Sequence, residues 1–463
     1  MRLADEVRYQ ARALIASRLG LDFPESRKAD LERGFIRACR SSVVSAPERY
    51  LAWLATLSDE SPEWKRLASH LTVGETYFFR DRALFEALEQ VLPPLVDARR
   101  SAGIRRLRLW SAGCATGEEP YSLAMLLDRL LPDSSDWALT VLATDINPDA
   151  LEAARRGLYR EWSFRETPQW IRDRYFHRRG PETFEVDPRI RRVVTFAPLN
   201  LAEDGYPTVV TNTSAMDLIL CRNVLMYFTR DAQRAVVARL QRALAIGGWL
   251  VVSPAEASAE LFRPLLPVNF PGAILYRKEP VSAVAPPTTW HPEAVWPTLP
   301  APAPLVDTLS GLIAPEAPVT PLSEERAEPL PDTPSDLQRA RALADLGSLE
   351  RARELCEIAL ERDRLDSEAH LLLAAICQEQ GEMAAALEAL RRTIYLAPDC
   401  ASAHFLLGSL LLRQGKLRQG QRSMETVLNL LSSVPRDEAV AGSDGLTAGR
   451  LLETARAYLE LRG

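Results

Sequence analysis

A chain of 463 residues, 47% of them hydrophobic, is long enough for two or three domains with real cores. Its net charge of −6 excludes the strongly basic face of an ordinary nucleic-acid binder. Six scattered cysteines without a C-x-x-C pair exclude a disulfide framework or cysteine zinc site and fit reduced thiols in a cytosol. The charged start MRLADEVRYQ, and the lack of any apolar run approaching about 18 residues, predict a soluble, cytoplasmic chain that is not membrane-inserted.

Residues 1–72 read as a helical domain. Val7, Ala11, Leu14, Ile15 and Leu19 recur at helical spacing, Leu31, Phe35 and Ile36 repeat the pattern, and Tyr50, Leu51, Trp53, Leu54 and Leu57 form another apolar face. Residues 1–50 carry ten Lys/Arg against seven Asp/Glu, either a docking face for an acidic partner or a solvated helix surface. The stretch from Leu71 to Asp81 joins this region to a helix expected over Ala83–Val91. Its Phe78-Phe79-Arg80 could be no more than a core plug beside a helix start.

The organising segment is Leu107–Met125. An apolar strand enters the small-residue turn Ser111-Ala-Gly-Cys-Ala-Thr-Gly117, followed by Glu118, Glu119 and Pro120, a residue suited to a first helical turn. Strand, glycine turn and helix start make a nucleotide-type cradle, but two acids would repel a phosphate. They suit a cofactor with hydroxyls and a positive charge, such as S-adenosylmethionine. A second strand, Trp137–Asp145, ends in an acid placed to hold ribose hydroxyls. Asn147 caps the next helix, Pro148 opens it and Gly157 closes it. That spacing alone does not separate a nicotinamide cofactor from an adenosylmethionine one.

Over residues 167–198, Tyr175-Phe176, Thr183–Val186 and Arg191–Phe196 alternate like short strands and predict a small antiparallel insertion. A buried strand, Met216–Cys221, runs into Arg222-Asn223 at its carboxyl end, where open α/β sheets bind ligands. A helix over Asp231–Ala245, a Gly247-Gly248 turn, and strands Trp249–Ser253 and Ala273–Arg277 complete a domain spanning 73–279.

Residues 280–334 hold 14 of the 33 prolines and read as an extended linker. Beyond it, over 335–463, a 34-residue repeat is plain: Gly347, Gly381 and Gly415 are one period apart. Ala340, Ala374 and Gly408, and Ala352, Ala386 and Gly420, hold small-residue positions of a tetratricopeptide-type helix pair. His370 and His404 stand where that repeat usually has tryptophan, as packing or groove residues rather than metal ligands. A helix over Leu446–Leu461 would cap the solenoid.

Five ordered motifs within residues 71–228 resemble the CheR family, which methylates glutamates of bacterial chemoreceptors with S-adenosylmethionine. They are Thr76-Tyr-Phe-Phe-Arg-Asp81, Trp110–Ser122, Ala143-Thr-Asp145-Ile, Asn200-Leu201 and Cys221-Arg-Asn-Val-Leu-Met-Tyr-Phe228. With the added repeats, the chain is similar to the WspC-type branch associated with surface sensing and biofilm signalling. The resemblance implies an α/β protein: a Rossmann-like methyltransferase domain between an N-terminal helical domain and an all-α repeat domain. It also implies S-adenosylmethionine as cofactor, S-adenosylhomocysteine as product, and receptor cytoplasmic helices as substrate, with the enzyme recruited to membrane receptors and a signalling protein met through the repeats. By the same resemblance Thr76 and Arg80 lie at the cofactor and acceptor end, Glu119 at the methionine part and Asp145 at the ribose. Asn200 and Leu201 flank the adenine, Arg222 and Asn223 complete the pocket, and Arg80 and Tyr227 lie near the transferring methyl. Gly74 departs from the family, which often has asparagine there. The short turn Arg178–Glu182 implies an enzyme that does without a receptor's C-terminal tether.

Overall fold

The computed structural model describes residues 3–58, 61–208, 211–279, 335–345, 348–443 and 446–460; the expected linker 280–334 and the repeat glycine Gly347 lie outside them. Four helices open the chain: α1 Asp5–Leu19, α2 Lys28–Ser41, α3 Pro47–Thr56 and α4 Pro62–Leu71. The helical stripe is the buried one, Val7, Ala11, Ile15 and Leu19 on α1 and Leu31, Phe35 and Ala38 on α2. Proline starts α3 and α4, where its missing N–H has no intrahelical partner to lose.

Next comes α5, Arg82–Ser101, which runs ten residues past its expected end and through Pro93 and Pro94. Pro94 is exposed and Pro93 half-buried, so the carbonyls they leave unpaired can turn to water. Ten strands follow, with helices between: β1 Arg106–Ala112, α6 Glu118–Leu130, β2 Ala138–Asp145, α7 Pro148–Arg156, β3 Leu158–Tyr159, α8 Gln169–Tyr175, β4 Phe176–Arg178, β5 Phe184–Val186, α9 Pro188–Arg191, β6 Val194–Pro198, β7 Met216–Leu220, α10 Arg230–Ala243, β8 Leu244–Val251, β9 Leu266–Phe270 and β10 Ala273–Arg277. Seven of them make one sheet, ordered β6-β2-β1-β7-β8-β10-β9. The first five are parallel, and β10 and β9 close the edge as an antiparallel hairpin. Every residue of β1 is buried, as a central strand covered on both faces requires. The chain reverses its strand order beside β1, so the carboxyl ends of β1, β2 and β7 open a crevice.

Three expectations need correction. Residues 194–198 do not belong to the small insertion sheet; β6 pairs in parallel with Val141–Asp145 of β2. The small sheet is β3-β5-β4, with Leu158-Tyr159 as its third strand. Alternation marks a strand, but the partner strand is chosen by tertiary contact. Gly247-Gly248 is not a turn before a strand but a bulge within β8, where Met216 pairs with Leu244 and Leu218 with Trp249. Gly247 has φ of +79°, and a β-carbon on Gly248 would press on the carbonyls of Ala245 and Met216. The hairpin strand β9 carries no clear apolar alternation and was not expected.

The repeats form three antiparallel helix pairs, α11 Asp336–Asp345 with α12 Leu349–Arg362, α13 Ser367–Gln380 with α14 Met383–Leu396, and α15 Ala401–Arg413 with α16 Leu417–Leu431. A last helix, α17 Ala448–Glu460, packs on α16. The small positions do what close packing asks: a β-carbon at Gly408 would meet Met424 at 3.0 Å and the Gly420 carbonyl at 3.2 Å. His370 and His404 have one local job. Each Nε2 donates to the carbonyl six residues back, Arg364 at 3.1 Å and Pro398 at 2.9 Å, pinning the turn between repeats.

Candidate active site

One cleft at the carboxyl ends of the parallel strands is lined by all ten residues singled out from the sequence: Gly74, Thr76, Arg80, Glu119, Asp145, Asn200, Leu201, Arg222, Asn223 and Tyr227. Its space, open mouth included, is about 1170 Å³.

Its floor is the β1–α6 turn. Gly113 has φ of +84°, and a β-carbon there would overlap the Val224 side chain, so only glycine lets the turn and the 222–228 loop meet. Asp145, at the end of β2, accepts the Ala115 N–H through Oδ2 and the Asn147 N–H through Oδ1, each at 2.8 Å. Burial raises its carboxyl above the usual range while these backbone N–H groups pull it back down. The Ile146 N–H adds to this pull, and the ionised carboxylate still offers acceptor capacity to a ligand hydroxyl. Glu118, the other acid pair member with Glu119, turns away from the cleft: its oxygens accept from Thr116 Oγ1 at 2.6 Å and Ser163 Oγ at 3.0 Å. Glu119 faces the cleft, accepting from Ser111 Oγ at 2.7 Å.

Arg222 is a brace. Its guanidinium reaches Asp81 at 3.0 Å and Glu119 at 3.3 Å and donates to the Arg80 carbonyl at 3.2 Å, tying three motifs together from a side chain only 4% exposed. Arg80 stands between two residues with left-handed backbone, Phe79 (φ 56°) and Asp81 (φ 73°). Two such non-glycine residues in sequence store strain of the kind found at functional sites. Around them Phe78 packs in an aromatic cluster with Tyr159, Phe164 and Phe176, and Phe79 packs at a tilt against Phe85. The core-plug reading therefore holds for the phenylalanines and not for Arg80, which is half-exposed and donates to the Glu75 carbonyl at 2.8 Å. Asn200 Oδ1 accepts the Ala202 N–H at 3.0 Å, and Leu201 is buried beside it. Burial pushes the thiols of Cys114 and Cys221 well up, so neither supplies a thiolate at the cleft.

Sequence reasoning missed two contributors. The first is the N-terminal domain, which forms part of the cleft wall. Leu21 bridges Phe228, the Asp22 N–H donates to the Tyr227 carbonyl at 2.7 Å, and the Arg27 guanidinium lies 4.6 Å from the Tyr227 ring centroid. Nothing local to Arg27 signals this. The second is Glu256, buried beneath the 222–228 loop. It accepts the N–H groups of Asn223 (2.8 Å), Val224 (2.7 Å), Met226 (3.2 Å) and Ser253 (3.1 Å), and the Ser253 hydroxyl (2.5 Å). The pattern Ser253-x-x-Glu256 is a capping box and was the available signal.

The family described as CheR methyltransferase, SAM binding domain, matches residues 74–263, and the tetratricopeptide repeat family matches 337–399 and 378–418. The chain is similar to the probable biofilm formation methyltransferase WspC of Pseudomonas aeruginosa, 30% identical over 424 residues, which is 87% of this chain and 94% of the relative. The WspC of Pseudomonas putida is 29% identical over 89% of this chain and 95% of its own length. The chemotaxis protein methyltransferase of Escherichia coli is 35% identical over 54% of this chain and 84% of its own. The cleft fits S-adenosylmethionine: two acids for hydroxyls and an ammonium, a glycine floor closed to side chains, and an apolar wall at Leu199 and Leu201.

Proposed function

The chain belongs to the CheR methyltransferase family, and from that premise we propose that it esterifies glutamate carboxylates on the cytoplasmic helices of a methyl-accepting, chemotaxis-type receptor. The observation that carries the reading is the meeting of five separate sequence motifs in one cleft. When bound, S-adenosylmethionine supplies a methyl group on a sulfonium, an electrophile open to in-line attack.

The protein's part is positioning. Asp145 would hold the ribose hydroxyls, Glu119 the amino group, and Asn200 and Leu201 the adenine, with Thr76, Gly74 and Asn223 along the wall. Arg222 keeps Glu119 and the Arg80 segment in register. Arg80 and Tyr227 would orient the acceptor carboxylate at the mouth. No general base is required, because a free glutamate has a pKa of about 4.3 and is already ionised at neutral pH. Alignment of reacting atoms supplies roughly 7 to 11 kcal/mol at best. An arginine that orients the acceptor must not pair with it too tightly, and the bond from Arg80 to the Glu75 carbonyl restrains it. The ester has lost a negative charge, which alters repulsion between receptor helices and biases a signalling equilibrium.

No helix among the described residues is long and apolar enough to cross a membrane; the enzyme would work from the cytoplasm, recruited to membrane receptors, with the repeats engaging or regulating a protein of the same complex. Transfer of tritium from labelled cofactor into membranes of a candidate host, followed by peptide mapping, tests the reading. Label on receptor glutamates is expected, together with an Arg80→Ala variant that keeps cofactor affinity but loses transfer. Label confined to small molecules, or full transfer by that variant, would refute it.

A further inference from the structure

The repeats are packed against the methyltransferase sheet. Glu379 of α13, fully buried, lies 3.0 Å from Nη1 of Arg108 and 4.0 Å from that of Arg106, both on β1 and both buried. A cavity of about 870 Å³, its open side included, separates Leu142, Thr144 and Pro198 of the sheet from Phe405, Leu451 and Tyr458 of the repeats. Leu199 lines both this cavity and the cofactor cleft, so the two are back to back across one stretch of chain.

At the rim, polar contacts cross the same stretch. Arg450 of α17 brings Nη2 to 2.8 Å from Oε2 of Glu203. The other oxygen of that carboxylate accepts from Nδ2 of Asn200 at 3.0 Å, and Asn200 lines the cofactor cleft. Gly205 makes room for the cation, since a β-carbon there would overlap Nη1 of Arg450.

We propose that the last helix of the repeat domain is a working part of the cofactor site: Arg450, through Glu203, holds the Asn200 carboxamide in its binding orientation. The proposal rests on the reading of the cleft as the S-adenosylmethionine site. Glu203 is 37% exposed, so a carboxylate without Arg450 would be drawn to water, and the carboxamide would lose the nearer of its two Nδ2 acceptors, keeping only the long bond to the Arg18 carbonyl at 3.5 Å. Arg450 is thus a positioning residue, and the repeats set the cofactor affinity of the enzyme they are joined to, besides whatever partner they bind.

The test uses the full chain and S-adenosylhomocysteine as probe in titration calorimetry. Arg450→Met removes the cation, and Gly205→Val displaces it while leaving the arginine itself in the sequence. Each is expected to weaken binding at least about fivefold, the lower end of typical coupling between sites, with Arg450→Lys recovering part of the loss. In turnover, KM for the cofactor rises in step while kcat at saturating cofactor holds. A double variant, Arg450→Met with Glu203→Gln, should lose no more than the worse single variant, because both act through one contact. Wild-type affinity in Arg450→Met, or additive losses in the double variant, would overturn the relay while leaving the cleft assignment standing. Absence of probe binding to the wild-type chain would overturn the cleft assignment, and the relay with it.

Discussion

Replacing Glu256 by glutamine tests how the loop carrying Arg222, Asn223 and Tyr227 is held. The carboxylate accepts on both oxygens: Asn223 N–H, Ser253 N–H and the Ser253 hydroxyl on Oε2, Val224 N–H and Met226 N–H on Oε1. A glutamine keeps one oxygen and turns an NH₂ toward the other set. The serine hydroxyl can rotate to accept from it, but in either amide orientation two backbone N–H groups face a donor. An unsatisfied buried N–H costs about 1–3 kcal/mol, so the span is about 2–6 kcal/mol. Three of the four N–H contacts are only partly buried, which moves the expectation to about 2–3 kcal/mol, a large share of a typical domain's stability. Urea denaturation of wild type and variant should resolve that loss, and S-adenosylhomocysteine affinity should fall about tenfold as the loop loosens. A stability change under about 0.5 kcal/mol with unaltered affinity would refute the claim that this carboxylate organises the loop.

Gly74→Asn should strengthen cofactor binding by roughly threefold to tenfold, one added hydrogen bond, because a β-carbon there meets nothing nearer than the Ala115 methyl at 4.0 Å; weaker binding in calorimetry would count against the site assignment. Burial raises the Asp145 carboxyl above its ordinary 3.8, and only the ionised form accepts two hydroxyls. Affinity should therefore be full above the raised value and fall as pH drops through it, a dependence absent in Asp145→Asn, where binding should be about tenfold or more weaker throughout. The linked stability has the opposite sign: the folded state holds the proton more tightly, so this group's contribution declines as pH rises from 3.8 through the folded value. Glu379→Ala leaves Arg106 and Arg108 buried without their acid and should lower stability by about 3–5 kcal/mol. Calorimetry should then show a depressed or divided unfolding transition; an unchanged one would mean the pair is not holding the repeats.

Local rules made much of this chain legible. Gly157 ending α7 and Asn147 capping it with bonds to the Asp149 and Ala150 N–H groups follow from spacings of a few residues, and the small residues of the repeats from the 34-residue period. Asp145, Arg222 and Asn223 follow too, because the carboxyl ends of parallel strands converge wherever βα units are laid side by side, and Glu119 follows from the acids after the glycine turn; the other cleft residues rest on the resemblance of their motifs to a known family. What stayed hidden were the choices that pair distant segments. Residues 194–198 read as a strand, but only the assembled sheet could award them to β2 rather than to the insertion. Gly247-Gly248 reads as a turn in isolation and becomes a bulge once Met216 and Leu218 set the register. Arg27 reaching Tyr227, Glu256 beneath the 222–228 loop and Arg450 on Glu203 are separated in sequence by 200, 30 to 33 and 247 residues from what they hold. Periodicity and capping act within a turn or two of helix or strand, so the sequence by itself determined most elements and their caps, while the reach of α5 through Pro93 and Pro94 and the strand β9 lay beyond it. Contacts between elements depend on which apolar faces bury together, and that only the tertiary structure decided.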